Sequence, residues 1–307
     1  MKPRTTRGFT IIELLVVIAI IGLLIGVMYP AITSARMSAK KTKELNLIGQ
    51  VSKAWSMYSL GHQERLLPGY LSTQVQEYRE LAWAFTDETI VSPAPTYDLS
   101  LPNDAGPWTW RLLDYLDNDW ESLLFYRDVD WDVSGGGLGQ HANVIATQPA
   151  FGYNGYYIGG LWEIDDHSGR PVVEFNSVTL IDDRKINVVS MVTSHIKKPN
   201  SQLVFCSTFF ASEGVYADLD DETAGSYLAI PSNLARVDMW EPLGSGRIEA
   251  HFDAHVPLGR FNGLPAIAYA DGHVNTVGLY DLVDQRLWIQ KAQDVNGTPA
   301  SEFSHTQ

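Results

Sequence analysis

The chain has 307 residues, enough for one large domain with appendages, and its composition (45% apolar, 11% aromatic, 19% charged) is that of a folded protein rather than a solvated disordered one. Its formal charge is -14, from 22 basic and 36 acidic residues; seven of the basic ones (Lys2, Arg4, Arg7, Arg36, Lys40, Lys41, Lys43) precede residue 44, whereas Glu13 is the only acid that does. The remaining body, with 15 basic against 35 acidic residues, argues against nucleic acid as a partner, because phosphate contacts need clustered Lys and Arg.

The short start MKPRTTRG is basic and is the natural cytoplasmic end, although three basic residues before the following apolar run and four soon after it leave loop charge without a vote on orientation. Leu14 to Ala35 contains no charged residue, and these 22 residues make a helix of about 33 Å, which crosses a hydrocarbon core of about 30 Å. A secretory signal peptide would have a shorter apolar core and a better cut site than TSA at 33–35. Glu13 stands near the start of this run, where a carboxylate costs roughly 2.5 to 3.5 kcal/mol. A residue held there at that cost calls for a partner. Gly22 and Gly26 form a small-xxx-small pair, and Pro30 removes one helical hydrogen bond, predicting a kink or local opening near residues 26–30.

A basic leader ending in Gly8, then Phe9, Thr10, two isoleucines, Glu13 and an apolar helix resembles the N-terminus of type IV prepilins and type II secretion pseudopilins; Pro30, twenty-two residues after Gly8, falls where many members also have proline. The resemblance implies that a membrane-embedded prepilin peptidase cuts between Gly8 and Phe9 and methylates the new amino terminus. It implies an inner-membrane protein with a cytoplasmic leader, and a head that is periplasmic, or extracellular after assembly. Partners would be the peptidase, other pilin or pseudopilin subunits, an inner-membrane assembly platform and membrane lipid. Cutting before Phe9 would create a charged amine four residues from Glu13 at the same membrane depth, where opposite charges attract strongly. In the family that glutamate meets the amino terminus of a neighbouring subunit. The competing reading is that Glu13 snorkels into the headgroups beside an uncleaved Arg7. The implied fold class is α+β and type IV pilin-like: a leader at 1–8, a membrane helix at 9–35, its amphipathic continuation at 36–61, and a largely antiparallel β-sheet head at 62–307.

Beyond the span, Leu45, Ile48, Val51, Trp55 and Tyr58 recur at spacings of three and four, one face of a continuing helix, which Gly61 stops. Leu71, Val75, Tyr78, Ala82 and Phe85 suggest a second helix, residues 91–107 a proline-rich loop, and residues 108–126 a helix or broken helix. Strands follow in PVVEFNSVTLI, INVVSMV and QLVFCSTFF. Cys206, inside an apolar run, is read as a buried structural thiol. In AIAYADGHVNTVGLY, Asp271 and Gly272 fit a two-residue type I′ hairpin turn. This segment resembles the end of one prepilin-like group with an H-x9-DG pattern: Asp271, Gly272 and His273 match, whereas Phe261 stands at the histidine position. YNGYYIGG at 153–160 and HIKKPNSQLVF at 195–205 resemble that group more loosely.

Residues 1–307 contain none of the common hydrolase, zinc-protease, Walker or dinucleotide motifs, so no catalytic residue and no resident cofactor is assigned. His251 and His255 flank Asp253 but read as solvated loop residues. Asp128, Asp130 and Asp132 alternate as calcium-loop carboxylates do, but Val133 and Gly139 occupy positions where an EF-hand needs glycine and glutamate, leaving an irregular calcium loop and an acidic solvated turn as the two readings. Two function classes follow. One is a structural subunit of a pilus or secretion pseudopilus, minor or specialised given the 246-residue head. The other is a membrane-anchored binding module or enzyme with a pilin-like anchor.

Overall fold

The computed structural model describes residues 10–78, 106–117, 119, 121–124, 126, 142–174, 177–179, 185–216, 223–234, 237–244, 246–261, 263–290 and 292. The chain divides into two compact units, Met1–Lys43 and Glu44–Gln307. One helix, Ile11–Gly61, continues through both.

In the first unit the helix is long and apolar enough to cross a membrane, and its side chains are bare: Ile18 is 59% exposed and Leu23 70%. The helix stays continuous through Pro30, so of the kink or local opening expected there the opening is not seen. Pro30 lacks only the N–H that would reach the Gly26 carbonyl, and one missing bond among many leaves the turn intact. Nearby, the Thr33 hydroxyl donates to the Tyr29 carbonyl at 3.1 Å.

In the second unit, residues 44–61 of the helix bury one face. Ile48, Val51 and Trp55 are the buried members of the stripe predicted from spacing; Leu45 and Tyr58 flank it partly buried. They pack with Trp108, Tyr153 and Phe205 in one core. The Trp55 indole donates to the Tyr153 hydroxyl at 3.1 Å, and that hydroxyl donates to the Leu67 carbonyl at 2.9 Å, so a buried polar atom in each partner is satisfied. The helix ends at Gly61, and Gln63 and Glu64 take the left-handed conformation that turns the chain away.

The sheet opposite is five-stranded and antiparallel. Its long strand Leu203–Ala211 pairs with Phe151–Tyr153, Ala266–Tyr269 and Ala254–Pro257, and Val274–Thr276 adds to the Ala266–Tyr269 edge. Near-continuous apolar character suits Leu203–Ala211, of which all but Phe210 are buried. A three-stranded antiparallel sheet is built from Gly214–Tyr216, Arg247–Ala250 and Trp240–Gly244. Tyr70–Leu71 runs parallel to Leu161–Ile164, which pairs antiparallel with Pro171–Val173.

Several elements differ from the sequence reading. Leu71 belongs to a strand and the second helix starts at Thr73, ending its described part at Tyr78. The segment at 108–126, by contrast, agrees with one of its two readings, the broken helix: a helix Thr109–Leu112 is followed by 3-10 turns Leu113–Leu116 and Glu121–Leu124. PVVEFNSVTLI divides into the strands Pro171–Val173 and Ser177–Thr179, the second paired with Lys185–Asn187.

The YNGYYIGG stretch is a packing element. The Asn154 amide donates to the carbonyls of Leu203 (3.0 Å) and Trp288 (2.9 Å) from full burial. Gly159 has φ 75°, and a Cβ there would stand 1.7 Å from the Leu67 carbonyl oxygen. Only glycine fits that approach.

Candidate functional site

The helix start is built by Thr10, Glu13 and Leu14. Thr10 precedes the first turn and its carbonyl accepts from Leu14 N at 3.2 Å. The Thr10 backbone N–H and hydroxyl both donate to Glu13 Oε2 at 2.8 Å, and Glu13 N donates back to Thr10 Oγ1 at 3.2 Å. This is a reciprocal capping box: two donors that a helix start leaves orphaned are both satisfied, and the carboxylate sits at the positive end of the helix dipole. Glu13 therefore has a partner within its own chain. Its Oε1 makes no hydrogen bond among the described residues, so it can accept from an external donor while Oε2 holds the cap. The Thr-x-x-Glu spacing ahead of an apolar run was a legible signal for this arrangement. Gly22 and Gly26 face open space on the bare helix, with no atom within 4 Å of a built Cβ, which leaves room for another helix to approach closely. Gly8 and Phe9 lie outside the described residues.

Residues 3–29 match the family model of the prokaryotic N-terminal methylation motif. That stretch is the type IV prepilin-type signal, and it takes in Gly8, Phe9, Thr10 and Glu13. The comparisons with curated proteins and with solved structures gave no match. Around the prepilin-type signal the chain has a long apolar N-terminal helix packed through its later turns against antiparallel sheets, the α+β arrangement of a pilin-like fold.

The other predicted positions are scattered over the head. Asp271 and Gly272 do form the hairpin turn, but not as type I′. Gly272 N donates to the Tyr269 carbonyl at 2.9 Å and Tyr269 N to the His273 carbonyl at 3.0 Å, enclosing a three-residue loop. Neither Ala270 nor Asp271 takes a positive φ, whereas Gly272 has φ 89°. The loop is thus an ordinary turn closed by a glycine bulge, and the Asp-Gly pair serves it one position later than in a two-residue turn. Asp271 Oδ1 accepts from His273 N at 3.1 Å and contacts its Nδ1 at 2.5 Å, with the His273 ring stacked on Tyr269. Phe261 is buried in the head at 1% exposure, an apolar packing residue where the resembling group has histidine.

His255 is not a solvated loop residue. It lies on the strand Ala254–Pro257, hydrogen-bonds through Nδ1 with the Ser226 hydroxyl, and packs edge-on between Phe210 and Tyr227. Burial pushes its imidazole down to about 4, so it is neutral at physiological pH. His251 is partly exposed and Asp253 exposed on the preceding bend. Among the described residues no cluster of three His, Cys, Asp or Glu side chains is placed to hold a metal ion. Asp128, Asp130 and Asp132 lie outside the described residues.

Cys206 is buried as expected. Burial, and then the neighbouring Glu44 charge, push its thiol well above the usual range, which suits an inert core residue. Sequence reasoning missed Glu44 itself: it is fully buried on the helix face and accepts from the Ser207 hydroxyl at 2.6 Å. Its position one turn ahead of Ile48 on the apolar stripe was the available signal.

Proposed function

We propose that this chain is the precursor of a pilin-like structural subunit. A prepilin peptidase cuts it between Gly8 and Phe9 and methylates Phe9. The apolar helix holds the subunit in the bacterial inner membrane with its head outside the cytoplasm. Subunits then assemble through that helix, on an inner-membrane platform, into a type IV pilus or a type II secretion pseudopilus. The large head suits a minor or specialised subunit rather than the bulk of a filament. The observation that carries this reading is the methylation-motif match at residues 3–29, together with a helix from Ile11 onward whose apolar side chains are bare on every side of the span. In this reading Glu13 keeps its Thr10 cap through Oε2 and offers Oε1 to the Phe9 amine of a neighbouring subunit. Docking then neutralises two charges that lipid would penalise.

Mass analysis of the mature N-terminus tests processing: a start at Phe9 carrying one added methyl group is expected, and Gly8→Val should leave the leader in place. Retained Met1, or a start at Arg36, would overturn the reading. Glu13→Leu separates insertion from assembly. The span should insert as well as before, whereas entry of the Phe9 amine into a filament loses about 3 to 5 kcal/mol when one partner of a buried pair is deleted. Membrane fractionation beside filament shearing reads both halves.

A further inference from the structure

Three tyrosines and two glutamates meet on the head, each from a different segment of chain. Tyr70 stands opposite Leu161 in the parallel pair, and Glu174, which follows Val173 and donates its N–H to the Leu161 carbonyl at 2.8 Å, completes that row of the sheet. Alternation puts Glu163 on the same face, directly opposite Val172, which is 40% exposed. Close backbone contacts bring in the other two tyrosines. A Cβ at Gly69 would stand 2.5 Å from Gly155 Cα, and one at Gly155 would stand 2.8 Å from Leu228 Cδ2, so the adjoining residues Tyr70, Tyr156 and Tyr227 are gathered around one point. The Tyr70 and Tyr227 ring centroids lie 5.9 Å apart. All three tyrosines are half-buried, so solvent reaches them.

The electrostatics follow this geometry. Burial and then Glu163 push up both the Tyr70 phenol and the Glu174 carboxyl, and burial and then Glu174 push up the Tyr156 phenol. Burial, Tyr70 and Tyr156 raise Tyr227. No cation offsets these effects. Among the described residues neither Glu163 nor Glu174 makes an ion pair or a hydrogen bond through its carboxylate, and Arg170, in the turn of the same hairpin, pairs with neither.

We infer that this cluster of three tyrosines and two glutamates binds an organic ammonium group, either a quaternary head group or the end of a lysine side chain. Tyrosine faces attract such a cation within about 6 Å of the ring centre, and the attraction grows where water is partly excluded. The two carboxylates supply the counter-charge. An alkylammonium group can turn its methyl or methylene carbons to the rings and its charge to Glu163 and Glu174, which uses both kinds of side chain at once. A hard metal ion would instead seek six or more oxygen ligands, and among the described residues no three His, Cys, Asp or Glu side chains are grouped to begin such a set.

Calorimetric titration of the full chain in dodecyl maltoside, a detergent without an amine, tests this. The probes are tetramethylammonium chloride and acetyl-lysine amide, against sodium chloride at equal ionic strength and neutral tert-butanol. Saturable binding of an ammonium probe and of neither control is expected, and the tighter of the two probes tells whether a head group or a lysine side chain is the natural source. Tyr70→Leu should weaken that binding about tenfold, whereas Tyr70→Phe, which keeps the aromatic face, should hold it within about twofold. Glu163→Gln should also weaken it about tenfold. This variant keeps the side-chain volume on a partly exposed strand position, so its tryptophan fluorescence should match the wild type and its result stands even if Tyr70→Leu unfolds. An ammonium probe that binds no better than sodium, or binding unchanged by Glu163→Gln or by a folded Tyr70→Leu, would overturn the inference.

Discussion

The two ends of one helix meet opposite fates. Between Ile11 and Ile32 apolar side chains point to every side and stay exposed, whereas between Glu44 and Ser59 the buried residues are Glu44, Leu47, Ile48, Val51, Ser52, Ala54, Trp55 and Ser59, a stripe at spacings of three and four. The backbone is the same. A stripe finds its cover within the chain, on the head, because it leaves a polar side for water; an all-round apolar helix can be covered only by lipid or by other helices. Period rather than total hydrophobicity decides which partner a helix segment seeks.

The sharpest way to break that comparison is to truncate one large side chain in each part. Trp55→Ala should destabilise the head by about 3 to 5 kcal/mol, since it empties a fully packed site and leaves the Tyr153 hydroxyl without its donor. Ile18→Ala should change the same quantity by less than about 0.5 kcal/mol. Urea unfolding of the detergent-solubilised chain, followed by tryptophan fluorescence, measures both, and equal losses would show that the two segments are not energetically distinct.

Acid should separate the regions next. The folded-state pKa of His255, about 4, lies below the ordinary value of 6.5, so unfolded chains bind a proton first as pH falls. Its contribution is complete above about pH 6.5 and is lost on the way down to about 4, amounting to about 2 kcal/mol at most of the head's stability after allowance for its partial exposure. His255→Gln should flatten that part of the stability profile. The helical signal of residues 11–32, which contain no histidine, should not follow it. A wild-type profile unaltered by His255→Gln would remove this residue from the account.

The smallest effect sharpens the helix start. Thr10→Ala removes one cap and should cost about 1 kcal/mol locally, seen as faster amide exchange in the first turn, whereas Thr10→Ser should keep protection. The core stripe at Ile48 to Trp55 should exchange as before.

Local periodicity made the helix, its buried face and the long strand Leu203–Ala211 legible in the sequence, because each depends on neighbours a few residues away. The prepilin-type signal was legible for a similar reason: its residues are contiguous. What escaped depended on distant partners or on one residue of register. His255 reads as part of a polar bend until Phe210, Ser226 and Tyr227 are brought around it. Asp271-Gly272 suits either hairpin loop, and the pairing of Tyr269 with His273 decides between them. Leu71 fits a helical spacing with Val75, yet a parallel partner at Trp162 draws it into a sheet. Glu13 was weighed as a charge needing a counter-charge, and its first partners are a neighbouring amide and hydroxyl.

The hydrogen bonds that fasten the helix to the head also set a timetable. Glu44 and Ser207 are 163 residues apart, and Ser52 reaches the Tyr269 carbonyl across 217 residues, so these contacts carry a large loop-closure cost. The helix leaves the ribosome first, and the cover of its stripe stays incomplete until the strands Leu203–Ala211 and Ala266–Tyr269 have been made. Until those late strands are made, Ile48, Val51 and Trp55 lack part of their cover and remain accessible to a competing surface. Docking of this helix is therefore a late event in the life of the chain, and early release from whatever shields the nascent stripe would favour aggregation over the native head.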